Sequence, residues 1–81
     1  MKPPAVKKAA AAYTTEQLAA AIEAVTEREE ELLAVDGDDM GERLTHLLLA
    51  LRIRQRMDAG EDAKDAFRAE MASVRETVSN G

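Results

Sequence analysis

The chain has no cysteine, no tryptophan, a single histidine and two aromatic residues, Tyr13 and Phe67, within 81 residues. Without cysteine there is neither a disulfide framework nor a thiolate metal site, and His46 alone cannot form a histidine cluster. The usual supports of a small fold are missing at a length where one core stabilises only marginally. Apolar residues reach 46%, but alanine dominates them, so side-chain volume for a core is thin while helix propensity is high. Glycine and proline are confined to Pro3, Pro4, Gly37, Gly41, Gly60 and Gly81. The stretches between them are rich in Ala, Glu, Leu, Arg and Met, which predicts an all-α chain.

Long hydrophobic runs are also absent. The longest strongly apolar run, Leu47 to Leu51, is far too short to span a bilayer. The opening MKPPAVKKAAAAYTTEQ lacks the apolar stretch of a secretory signal. A soluble cytoplasmic protein without a membrane partner is the expectation. The net charge of −5 is unevenly spread: Lys2, Lys7 and Lys8 put +3 on the first eight residues, leaving 8 basic against 16 acidic residues on the remainder.

Pro3-Pro4 disfavours early helix and the lysines after it follow no apolar period, so residues 1–12 read as a flexible basic arm ahead of a single helical domain, 13–81. Thr14 as N-cap with Gln17 three residues on fits a capping box, with Tyr13 placed to staple against Leu18. A first helix is predicted over about 15–35, with Leu18, Ile22, Val25, Leu32 and Leu33 on one face. Gly37 reads as the left-handed stop, and Asp38 or Asp39 as the cap of a second helix over 40–59. Gly60 ends that helix, and a third, 61–78, carries Ala63, Phe67, Met71, Val74 and Val78 on one face. The connections look short, which predicts a three-helix antiparallel bundle or extended helical hairpin with the second helix at its centre.

Chemistry-bearing patterns fail on inspection. Asp36-Gly37-Asp38-Asp39-Met40-Gly41 begins like a calcium loop, but Met40 and Leu47 stand where an oxygen ligand and a bidentate Glu are required. Glu27, Glu29, Glu30 and Glu31 point around a helix rather than to one metal, and His46 has Arg43, not Glu, three residues before it. A helix-turn-helix centred on Gly60 would open its recognition helix with Glu61-Asp62 and place Arg56 where the elbow needs a small residue. No nucleophile triad or phosphate loop is present. The expectation is a non-enzyme with no cofactor and no metal.

What remains is surplus apolar surface. The second predicted helix, in ERLTHLLLALRIRQRM, is apolar on more than one face. Leu44, Leu47, Leu48, Ala50 and Leu51 are therefore the candidate partner interface, of a homodimer or with another helical protein. A small regulator or nucleic-acid-associated factor is an alternative, with Lys2, Lys7, Lys8, Arg52 and Arg56 as phosphate contacts. A further alternative is an adaptor or chaperone of a secretion, phage or toxin system. His46, at the border of the apolar face, is the one residue that titrates near neutrality and a candidate pH sensor at an interface.

Overall fold

The computed structural model describes residues 1–80, with side chains through Arg75. Among the described residues the fold is all-helical, with four helices rather than three: α1 (Pro3–Ala12), α2 (Thr15–Arg28), α3 (Met40–Asp58) and α4 (Ala63–Asn80). The central one is α3, which packs against each of the other three. The molecule's shortest dimension, 19 Å, corresponds to about two helix diameters, so the helices form two layers.

The flexible arm is corrected to a helix. Pro3 and Pro4 occupy the first turn of α1, where backbone N–H groups have no intrahelical acceptor, so proline removes nothing and its fixed φ favours helix. Ala5, Val6, Ala9 and Ala10 are buried. Their small side chains let α1 lie close against α3, and a stripe of alanines gives little hydropathy signal. Tyr13 leaves the helix in extended conformation and its hydroxyl donates to the Ala34 carbonyl at 3.1 Å.

The start of α2 follows the predicted capping box. The Gln17 N–H donates to Thr14 Oγ1 at 3.1 Å and the Thr14 N–H to Gln17 Oε1 at 2.9 Å. The end does not follow, because α2 stops at Arg28 and Glu29 takes the left-handed conformation at φ 53°. Continuing the helix would set Glu27 against Glu31 at i,i+4 and concentrate carboxylates at the negative end of the helix dipole. Residues 29–39 instead form a long non-helical connection. It is tied down by Leu33 and Val35 packing on the core and by Arg43, which bonds the Glu31 carboxylate and, at 2.9 Å, the Gly37 carbonyl. Gly37 is not the left-handed stop. Its role is close approach, since a Cβ there would meet Arg43 Cγ at 2.5 Å.

Asp39 caps α3 by accepting from the Glu42 N–H at 2.8 Å. At the other end Gly60, at φ 110°, closes the helix. Its N–H donates to Met57 O and the Glu61 N–H to Arg56 O, both at 3.0 Å, the bonding of a Schellman motif. The chain reverses there, so α4 runs antiparallel to α3, with Ala66 and Glu70 turned inward. Val78 lies on α4, but its side chain is outside the described residues.

The core consists of Val6, Ala9, Ala10, Leu18, Ala21, Val25, Leu47, Leu49, Ala50, Ile53 and Ala66. Leu47 and Ala50 thus pack inside the chain, 4% and 0% exposed. Part of the surplus apolar surface of α3 is taken by α1, which packs on it and which composition presents as an arm.

Candidate functional site

Because Thr15 Oγ1 donates to Asp58 at 2.7 Å, α2 lies antiparallel to α3 along one side. On the other, α1 runs parallel to α3, its start at His46 and its end near Met57. With α4 antiparallel, α1 and α4 form two walls over α3. Their cross-section leaves an open apolar groove whose floor and walls include Ile53, Met57, Phe67, Met71 and Val74. The Lys7 ammonium spans it, 5.2 Å from the Phe67 ring centroid, a cation–π contact. It divides the groove into clefts of about 520 and 590 Å³. From Lys64 to Arg75 the groove follows α4 for roughly 16 Å at about 1.5 Å per residue.

The rim is cationic: Lys7 and Lys8 from α1, and Lys64, Arg68 and Arg75 from α4, with Asp62 the acidic residue in the lining. Spacing explains the arrangement on α4. Lys64, Arg68 and Arg75 border the stripe of Phe67, Met71 and Val74, as positions three, four and seven apart share one face.

At the start of α1 a second constellation fastens the wall in place. His46 is fully buried. Its Nε2 accepts from the Lys2 N–H at 2.9 Å, so the ring proton sits on Nδ1 and is donated to the Asp36 carbonyl at 2.6 Å. One side chain thereby joins the first turn of α1 to the α2–α3 connection. Lys2 Nζ donates to Asp38 at 2.8 Å, which raises the Lys2 pKa and lowers that of Asp38. His46 faces this connection and not an outer surface.

The proposed interface residues are dispersed. Leu48 is exposed at 44%, Leu44 and Leu51 are half-buried against the core, and Leu47 and Ala50 are within it. The proposed phosphate contacts also separate. Lys2 is held by Asp38, Lys8 lies 4.0 Å from Asp36, and Lys7 is over Phe67. Arg52 and Arg56 both serve Glu70, which is 1% exposed: Arg56 Nε lies 3.2 Å from Oε1, and Arg52 Nε 3.1 Å from Oε2. Oε2 is buried without a hydrogen bond of good geometry, so the Arg52 contact is an ion pair by distance. The Arg56 pKa is raised, first by its bond to Glu70. Neither arginine is free for phosphate without stranding a buried carboxylate.

Among the described residues no group of His, Asp or Glu could hold a metal ion, and no helix is long and apolar enough to cross a membrane. The groove is half-visible in the sequence, since the spacing sets Phe67, Met71 and Val74 on one face of a helix. Cations bracketing that stripe at 64, 68 and 75 were the available signal that it borders solvent.

No curated protein and no solved structure matches the chain. A family model does, over residues 1–79, which takes in α1 together with the rest of the fold. The chain therefore belongs to DUF6952, a family of unknown function.

Proposed function

We propose that this chain is a non-catalytic protein-interaction module whose α1–α4 groove receives one amphipathic helix of a partner protein. The observation that carries the reading is the open apolar groove between two helical walls, with Phe67, Met71 and Val74 only partly covered. A length of about 16 Å fits roughly three turns of helix, and apolar grooves between helices are a common way to hold such a segment.

A second copy of the chain is a poor occupant. A two-fold dimer through this face would set its cationic rim against itself. Self-association through Leu47 and Ala50 has little surface to use, because both are buried within the chain. Stacking on nucleic acid has little to use, since Phe67 is partly covered by Lys7.

The test is a titration of the labelled protein with a three-turn helical peptide bearing leucines at i, i+4 and i+7 and uncharged flanks. Chemical shifts of Phe67, Met71 and Val74 should move together, and Met71→Lys should abolish the change. Shifts centred on Leu48, or none at high peptide concentration, would remove the groove from the function. Light scattering should give a monomer over a tenfold concentration range, whereas a stable dimer would return the reading to self-association.

A further inference from the structure

The groove's unpaired cations identify the partner's chemistry. Most lysines and arginines on this acidic chain stand within 4.0 Å of a carboxylate: Lys2 with Asp38, Lys8 of the rim with Asp36, Arg28 with Glu30, Arg43 with Glu31, Arg52 and Arg56 with Glu70, and Arg54 with Asp58. Among the described residues, those outside every such pair are Lys7, Lys64, Arg68 and Arg75, and all four line the groove. With 16 acidic residues in the chain, that coincidence is a segregation of charge. Lys64 and Arg68 are neighbours at i,i+4, where like charges repel, and Lys64 and Lys7 border both clefts at once. Cations without a carboxylate partner beside an apolar trough mark a surface that negative charge from outside would complement.

Resting on the interaction-module reading, we infer that the partner segment is an acidic amphipathic helix, with Asp or Glu on both flanks of its apolar stripe. Both flanks are specified because both walls are cationic: Lys7 on α1, and Lys64, Arg68 and Arg75 on α4. The apolar floor supplies the anchoring and the cations supply sign and orientation, as charge complementarity does in specific interfaces. A flat anionic membrane fits less well, because the apolar residues lie in a trough rather than on a protruding face, and the net charge of −5 repels an anionic surface.

The experiment measures binding of the intact chain to three helical peptides that share one apolar stripe and differ only in flanking residues: Glu, Gln or Lys. The Glu peptide should bind about tenfold more tightly than the Gln peptide at low salt, with the Lys peptide weakest, and the advantage should shrink severalfold as the Debye length drops from roughly 14 to 5 Å. Arg68→Glu, an exposed substitution, should erase or invert the order while leaving the helical content unchanged. If Gln and Glu peptides bind the groove equally, or the order survives Arg68→Glu, the acidic partner is refuted and the groove reading stands. If none of the three binds, the groove reading fails itself. Binding to phosphatidylserine vesicles but to no peptide would replace both with a membrane surface.

Discussion

Replacing His46 by leucine keeps most of the buried volume but removes both bonds by which α1 is fastened at its start. The Lys2 N–H loses its acceptor and the Asp36 carbonyl its donor, in bonds that are partly buried in each case. A buried polar group deprived of its partner costs about 1–3 kcal/mol. Since water reaches part of each bond, the pair together should cost about 2–4 kcal/mol. In a domain of this size about 1 kcal/mol lowers Tm by roughly 4–8 °C, so His46→Leu should melt at least about 8 °C below the native chain. Urea unfolding followed by helical circular dichroism measures the difference. Amide exchange separates local from global loss, because Val6 and Ala9 in α1 should lose protection before Leu18 in α2 does. His46→Gln, which offers one donor and one acceptor over a shorter reach, should lose less than leucine. As α1 is one wall of the groove, His46→Leu should also weaken peptide binding while Phe67, Met71 and Val74 remain intact. A stability change within about 0.5 kcal/mol, the range of an ordinary surface substitution, would refute the idea that His46 holds α1.

Acidification should destabilise the fold in a defined window. The pKa of Glu31 is lowered by its bond to Arg43, of Asp38 by Lys2, of Glu42 by the Asp38 N–H and of Asp58 by the Thr15 hydroxyl. Groups with depressed folded pKa values contribute fully above their unfolded values, near about pH 4, and lose that contribution as pH falls through the folded ones. Tm should therefore decline as pH falls below about 4, and a flat profile from there into stronger acid would contradict these pairings. Gly37→Ala should cost about 1–2 kcal/mol, because the new Cβ meets Arg43 Cγ at 2.5 Å and the immobile Arg43 backbone nitrogen at 3.1 Å; thermal melting decides it. Glu29→Gly should stabilise by up to about 1 kcal/mol by relieving the left-handed φ of 53°, and a loss in urea unfolding would show that the Glu29 side chain carries an interaction of its own. Leu47→Glu should unfold the monomer, at a cost of at least about 3 kcal/mol for a charge placed 4% exposed in the core. Retained helicity in that variant, with a halved solution mass, would restore the dimer interface.

The parts of the fold that were legible in the sequence are those where one residue has one local job. Thr14 and Gln17 close their capping box without help from the rest of the chain, Asp39 caps α3, and Gly60 accepts the positive φ that ends it. The errors arise where local signals compete with packing. Pro3-Pro4 has two physical meanings, helix blocker in an interior and helix starter in a first turn, and the difference lies in whether the following residues find a surface. Ala5, Val6, Ala9 and Ala10 do find one on α3, but four small side chains have too little hydropathy to announce it. The same omission produced the misreading of α3. Reading residues 1–12 as an arm leaves the surplus apolar surface of α3 to be covered by another chain, whereas α1 packs on α3 within this one. Moving α1 from solvent into the core then changes the location of the site as well. Once α1 covers α3, unsatisfied surface shifts to the seam between α1 and α4, where Phe67 and Met71 lie between Lys7 and Arg68. A partner that recognised this protein through Leu47 and Ala50 would find them buried, whereas one that recognised it through a cationic, apolar trough would find the groove open.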